Sequence, residues 1–325
     1  MRAIEQILPE LTQKLGPLEQ QRQATRSRRS RGTAIMLAVL ACGLAGTIAV
    51  SRFAIWAAVV GGILTVIALW VTYTHELAEP YEAFRKQFKR QFISNLLAAV
   101  ADEVRYLPEG DRQILQDYQR SELFTTEPDR ETIEDSIFAR IGQTDLKVSE
   151  LYTEYKETTR DSDGKEETKW HTIFQGVFIS ADFHKEFRGK TFVRCDVAEK
   201  NFGRFARMFQ KPIFSDLQLV QMEDPDFERE FVVQSTDQVE ARYILSPSLM
   251  RRMLELKERF GSQVEFSFLH SRVHIAISTS RNFFEPRLDK SLEDPATLRE
   301  SLDQVSLCMG IVEDLDLNTR IWSKR

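Results

Sequence analysis

Motifs that carry chemistry are scarce in this chain. Its three cysteines are Cys42, Cys195 and Cys308, with no CxxC pair among them. That excludes a disulfide framework and a zinc site of ordinary spacing, and it suits a reducing compartment. The five histidines are His75, His171, His184, His270 and His274. His270 and His274 have the i, i+4 spacing of helical metal sites, but the sequence around them reads as a β-hairpin. Four residues cover about 13 Å along a strand, and no nearby cysteine or acid completes a ligand set. No GxSxG elbow, Walker loop, GxGxxG turn or kinase signature occurs, so acyl transfer and nucleotide chemistry by those routes have no support. Neither a metal nor a cofactor is expected. There is no internal repeat, no low-complexity tract and no excess of positive charge.

What the chain has in quantity is uncharged apolar sequence near its N-terminus. Residues 33–51 and 53–74 carry no charged side chain. A membrane-spanning helix needs about 20 apolar residues, and each stretch qualifies alone. One straight helix over both would be about twice the thickness of a bilayer, so the reading is two spans hinged at Ser51-Arg52-Phe53. The bland alternative is one span followed by a buried soluble helix. Small residues four apart, Ala41, Ala45 and Ala49 on one span and Ala57, Gly61 and Thr65 on the other, predict the faces on which the spans pack. Trp56, Trp70 and Tyr73 lie toward the ends, as interfacial aromatics do.

Basic residues flank the hairpin on its open side. Arg22, Arg26, Arg28, Arg29 and Arg31 precede the first span, and Arg85, Lys86, Lys89 and Arg90 follow the second. Arg52 alone marks the tip. Arginine and lysine near span ends favour the cytoplasmic side, so both termini are placed in the cytoplasm and the chain in the plasma (inner) membrane. These nine basic residues are candidates for contact with anionic lipid. The net charge of −5 is unevenly spread. Residues 1–74 hold eight arginines and lysines against three glutamates, or +5, which leaves −10 for the remainder. An acidic domain on a basic anchor argues against nucleic-acid binding.

The rest of the chain divides by its periodicity. Residues 1–32 read as an amphipathic helix, stopped by Gly16-Pro17, and a basic approach segment. Residues 75–106 read as a juxtamembrane helix with Leu77, Tyr81, Phe84, Phe88, Phe92, Leu96, Val100 and Val104 on one stripe, and Pro80 at a kink. The stripe has to be covered, by the protein's own domain, by self-association or by lipid. Residues 107–325 read as an α+β domain with a mostly antiparallel sheet and flanking helices. Its expected elements are a short helix over 111–124, two long strands joined at Asp161-Ser162-Asp163-Gly164, strands near Phe192, Leu217–Met222 and Phe231–Val233, and a helix over Glu199–Met208. A helix opens at Ser246-Pro247 and ends at Gly261, a hairpin covers 264–278, and a last helix runs from Asp294-Pro295 to Asn318.

Three stretches carry a family resemblance: FQGVFISADFHKEFRGKT at 174–191, DPDFEREFVVQSTDQVEARYILSPSLMRRMLEL at 224–256 and NTRIW at 318–322. The chain resembles, over roughly residues 80–322, the bacterial membrane protein family known as domain of unknown function 3137 (DUF3137). The resemblance implies the same fold and paired spans ahead of it. It brings no activity, substrate or catalytic residue. Members neighbour LemA-type membrane proteins, which implies a membrane complex.

The best candidate patch is Asp224, Asp226, Asp237, Glu240 and Arg242, with Arg320 as a partner in an ion pair. Paired carboxylates perform acid–base work when their surroundings split their pKa values, but far more often they cap helices and bind arginines. The preferred reading is a non-enzymatic, membrane-anchored cytoplasmic module that contacts membrane lipid and binds a membrane protein or a second copy of itself. The alternatives are a ligand- or lipid-binding sensor and an enzyme that uses the carboxylate patch.

Overall fold

The computed structural model describes residues 4–51, 54–101, 103–160, 166–183, 185–195, 216–261, 263–315 and 317. The expected hinge at Arg52-Phe53, the turn at 161–164, His184, the helix over Glu199–Met208, and Asn318 to Trp322 with Arg320 lie outside the described residues. The chain divides into two compact units, Met1–Ala99 with Phe284–Asp303 and Val100–Phe283 with Gln304–Arg325.

The first unit is helical. Helix α1 (Ile4–Ser51) is continuous through Gly16-Pro17, where the sequence predicts a stop. Proline inside a helix costs about 3 kcal/mol. Here Leu15 and Leu18 on either side are buried, and Glu19 and Arg22 are pinned by tertiary contacts, so packing outweighs local propensity. Helix α2 (Ile55–Thr72) opens at Ala54 in an extended conformation. It continues through a wide π-helical turn (Tyr73–Ala78), α3 (Glu79–Gln87), a second π turn (Phe88–Ile93) and α4 (Ser94–Val100). Pro80 falls just after the first π turn, at the start of α3, where its missing N–H is tolerated. Both helices are long and apolar enough to cross a membrane, and neither apolar window is buried in the structure.

The stripe from Phe84 to Leu96 is buried, with Phe84, Phe88 and Phe92 in successive ring contact. Steps of four advance about 40° per repeat on an α-helix. The second π turn sits where Phe88 and Phe92 must stay on one face, and a wider turn offsets that drift. The stripe is therefore not a free seam for a second copy. Val104 leaves it, because the helix ends at Val100 and the next residues form a strand.

Where α1 and α2 pack, α1 presents Met36, Val39, Gly43 and Thr47, and α2 presents Ala57, Gly61, Thr65 and Ala68, while Gly32 meets Glu76 and Leu77 of the π turn. The expected face of α2 is thus the one in use, but Ala41, Ala45 and Ala49 of α1 are exposed. The reason is steric. A Cβ on Gly43 would lie 2.2 Å from the Thr65 side chain, so the two helices meet at Gly43. Ala45 lies about 200° further round α1.

The second unit is built on a nine-stranded, wholly antiparallel sheet in the order β1-β2-β3-β4-β9-β8-β5-β7-β6. Its strands are β1 (Glu103–Leu107), β2 (Arg130–Ile141), β3 (Thr144–Arg160), β4 (Glu166–Asp182), β5 (Thr191–Cys195), β6 (Gln218–Val220), β7 (Phe231–Ser235), β8 (Val264–Leu269) and β9 (Arg272–Ser278). One face is covered by α5 (Gln113–Arg120), whose Ile114 and Tyr118 pack with Leu123, Phe174, Phe178 and Phe192. Against the other lie α6 (Pro225–Glu230), α7 (Gln238–Ile244) and α8 (Pro247–Phe260). Phe227 touches Phe231, and Phe231 meets Phe266 edge-on. Helix α9 (Pro295–Met309) and the single turn α10 (Ile311–Asp314) follow, parted at Gly310 where one helix was expected.

Several local expectations hold for physical reasons now visible. Ser246 Oγ accepts from the amide of Leu249, Pro247 fills the first turn, and Gly261 closes α8 in a left-handed conformation at φ 58°. Strands β1 and β2 were not legible. Val104 continues the helical stripe in sequence, and β2 carries a bulge between Glu134 and Ile137 that shifts its alternation midway. Asp135, in the bulge, takes φ 52°.

Replacing Gly43 by valine is expected to lower the thermal midpoint of the detergent-solubilised protein by several degrees. The same change at Gly46, which has open space around it, should leave the midpoint within a degree or two. Paired melting curves check this.

Candidate functional site

The nine basic residues flanking the hairpin separate into two groups. Arg22 is buried and makes a two-pronged pair with Glu19, Nε to Oε2 at 2.8 Å and Nη2 to Oε1 at 2.7 Å. It also donates to the Leu288 carbonyl, and Glu19 Oε2 accepts from the amide of Leu292 at 2.9 Å. Arg85 Nε and Lys89 Nζ both reach Glu285, each at 2.9 Å, and Lys89 is 2% exposed. The segment from Glu285 to Leu292 is thus a strap that grips α1 at Glu19–Arg22 and α3 with its π turn at Arg85–Lys89. Desolvated charges are stable only when matched in this way. Arg26, Arg28, Arg29, Arg31, Lys86 and Arg90 are exposed. Of the residues expected at a lipid surface, Arg22, Arg85 and Lys89 are instead held by the protein's own carboxylates.

The carboxylate patch is structural in its detail. Asp224 caps α6, accepting from the amides of Asp226 and Phe227 at 3.0 and 3.1 Å. Asp226 pairs with Arg229 at 3.2 Å. Asp237 caps α7 in the same manner, accepting from Val239 and Glu240 at 2.9 and 3.0 Å. Glu240 does not pair with Arg242. Its two oxygens accept from the amides of Arg188 and Gly189 at 2.8 and 2.6 Å, which fixes the loop before β5. Arg242 donates to the carbonyls of Gln238 and Gln221, tying α7 to the chain after β6. Each carboxylate satisfies backbone N–H groups or a neighbouring arginine, as helix N-termini require. Beside these residues two apolar side chains, Val239 and Tyr243, are exposed one turn apart on α7; Leu219 of the edge strand β6, also exposed, shares its register with Phe192 on the α5 side of the sheet.

The histidine pair does not gather a metal site. His270 lies exposed in the two-residue turn between β8 and β9 at φ 52°, whereas His274 is enclosed and stacks on Phe178. Burial, helped by the positive charge of Arg272, pulls His274 down to about 3, so it is neutral at physiological pH. One rung past the paired part of β5 and β8, Glu265 and Arg194 are both buried. Burial pushes Glu265 up to about 7 against the opposing pull of Arg194. Burial also raises the thiols of Cys195 and Cys308, which keeps them protonated and poorly nucleophilic.

Glu19, Glu285, Glu265 and Arg194 escaped the sequence reading. Only the i, i+3 spacing of Glu19 and Arg22 signalled a pair in advance. Nothing local marks Glu285, whose partners lie some 200 residues earlier.

Residues 172–317, somewhat under half of the chain, match the family model described as Protein of unknown function (DUF3137). This is the family that the sequence resembles. No curated protein matches the chain. Among solved structures, the crystal structure of the mycobacterial trehalose monomycolate transport factor A, TtfA, aligns at 12% identity with a TM-score of 0.35. The alignment covers 70% of this chain and 96% of that one. At that score the likeness carries no argument about fold or function.

Two outcomes are expected. Arg22 holds the Glu19 carboxyl down to about 2 from 4.5, against burial and with help from the Leu292 amide. A depressed carboxyl contributes stability that is full above the unfolded value of 4.5 and is lost as pH falls toward 2. That contribution is on the order of 3 kcal/mol. Glu19→Gln should therefore lower the unfolding midpoint at pH 7, and the gap to the wild type should narrow steadily below pH 4.5 in a pH series. Glu240→Ala removes the acceptor for two amides and should cost about 1–2 kcal/mol, read from denaturant unfolding.

Proposed function

We propose that the protein is a non-enzymatic, membrane-anchored module whose sheet unit binds a protein partner in the cytoplasm. In this reading α1 and α2 cross the plasma (inner) membrane as a hairpin with both termini cytoplasmic. Arg26, Arg28, Arg29, Arg31, Lys86 and Arg90 meet anionic headgroups, and the partner is a membrane protein or a second copy of the chain. The observation that carries it is the use made of the candidate patch. Asp224, Asp237 and Glu240 are occupied by backbone amides, so the patch offers caps and loop ties where an acid–base pair was conceivable. Beside them Val239 and Tyr243 stand exposed one turn apart on α7, and exposed apolar side chains rimmed by polar ones are characteristic of protein contact sites. Both apolar helices remain uncovered by the protein, which supports the anchor. The formal charge of −10 after residue 74 supports a protein partner over a nucleic acid.

The test is affinity purification of the full-length protein from membranes in mild detergent, beside a Val239→Asp/Tyr243→Asp variant. The expected result is a stoichiometric protein partner whose recovery falls at least tenfold in the variant. An unchanged partner, or none, overturns the assignment of this surface. Topology has its own readout: a reporter fused after Arg325 should be active only when it requires the cytoplasm.

A further inference from the structure

The longest hairpin of the sheet unit outruns its neighbours. Strands β3 and β4 stay paired to their last described rung, Arg160 with Glu166. On the outer sides, β2 reaches β3 no further than Glu154, and β9 reaches β4 no further than Gly176. One more hydrogen bond follows, from the Thr279 amide to the Gln175 carbonyl. Residues 156–160 and 166–170 are therefore a ribbon of two strands, and each of them is exposed. A two-stranded ribbon is at best marginally stable in water, and an unpaired edge is a row of N–H and C=O groups that takes a further strand.

The two edges of the ribbon differ. On the β3 side the chain leading into β2 intervenes: the Asp129 amide donates to the Glu154 carbonyl, and the Asp129 carboxylate accepts from the amide of Lys156 at 2.7 Å. On the β4 side no described strand pairs with residues 166–174. The free edge reads Glu166-Glu167-Thr168-Lys169-Trp170, and it complements itself when reversed about Thr168. A two-fold axis at that residue sets Thr168 against Thr168 of a second copy and each Glu167 against the other copy's Lys169. Threonine pairs and opposite charges are favourable across strands. Both charges are available for this, because within one chain they meet at 3.3 Å with each side chain more than half exposed, and such a pair is worth little. The outer rungs agree. Lys169 would lie between its own Glu157 and the second copy's Glu167, and Glu166, paired with its own Arg160 at 3.4 Å, would face Trp170. Moving the axis by one residue sets Glu167 against itself or Lys169 against itself, and like charges directly opposite are destabilising.

We infer that two copies of this chain join through the free edges of β4, antiparallel about Thr168, and turn two marginal ribbons into one four-stranded arm in the order β3-β4-β4-β3. The interface is isologous and closes on itself, so it makes a dimer and no fibre. The inference is independent of the protein-binding surface proposed on α7, since it uses other residues on other elements.

The experiment is disulfide crosslinking of the full-length protein in the cells that produce it, treated with a mild thiol oxidant and read on non-reducing gels. Cys42, exposed on α1, is first replaced by alanine. In that background Thr168→Cys should give a disulfide-linked dimer, at least fivefold more than Trp170→Cys, whose two copies would stand about 13 Å apart along the strands. Adding Glu167→Lys to Thr168→Cys should lower the yield at least fivefold by setting lysines opposite each other, and adding Lys169→Glu should do the same with glutamates. Coexpression of these two variants under different tags should restore the crosslink as a mixed dimer, because both rungs beside the axis then join opposite charges. All these positions are exposed, so the variants test the contact and not the fold. The assignment is overturned if Thr168→Cys crosslinks no better than Trp170→Cys, or if it joins a different protein instead of a second copy. It is equally overturned if the two charge variants crosslink to themselves as well as to each other.

Discussion

The matching of two carboxylates, Glu19 buried and Glu285 half-buried, organises the helical unit. Glu19 and Glu285 lie on segments far apart in the chain: Glu19 is answered by Arg22 of its own helix and by the Leu292 amide of the strap, and Glu285 of the strap by Arg85 and Lys89. Removing one partner of such an arrangement leaves an uncompensated charge, at a cost of about 3–5 kcal/mol. That penalty accounts for the continuity of α1 through Pro17. The contacts lie one turn beyond the proline, and they fix the backbone in helical geometry where the local sequence opposes it. It also assigns Arg22, Arg85 and Lys89 to the protein itself and leaves the other six basic residues at the surface.

The sheet unit follows a different constraint, the burial of both faces of one long antiparallel ladder. Helix α5 with the chain up to Phe124 closes one face, and α6 to α8 lie against the other. The acidic sequence from Glu223 to Glu240 is placed by this requirement. Short helices packed on a sheet edge expose their first amides, and Asp224 and Asp237 supply the acceptors. A cluster that looks chemically promising in one dimension is, in three, a set of helix caps and a loop tie. The exposed Val239 and Tyr243 beside it are what remains after that structural work, and they are the better guide to contact with a partner.

Buried ionisable groups occur where the sheet is deepest, and burial shifts each of them toward its neutral form. His274 lies inside the sheet on Phe178 and stays uncharged, while Glu265 and Arg194 share their burial. Cys195, beside them, and Cys308 are held as thiols by desolvation.

The sequence by itself determined the two apolar helices, the α+β class, the long β3–β4 pair, the β8–β9 hairpin and the limits of α8. These are features in which local periodicity, a capping serine, a proline in the first turn and a terminal glycine all agree. The buried stripe at Phe84, Phe88 and Phe92 was legible for the same reason. Tertiary structure alone decided the passage of α1 through Pro17, the face on which α1 meets α2, the strands β1 and β2, and the roles of Glu19, Glu285 and Glu240. In each of these a contact between residues distant in sequence outweighed the local signal. The Glu19 clamp overrode a helix breaker, and the approach of Thr65 selected Gly43 over the alanine stripe. The bulge at Asp135 disguised a strand, and a carboxylate that reads as reactive was bound to the amides of a loop some fifty residues before it.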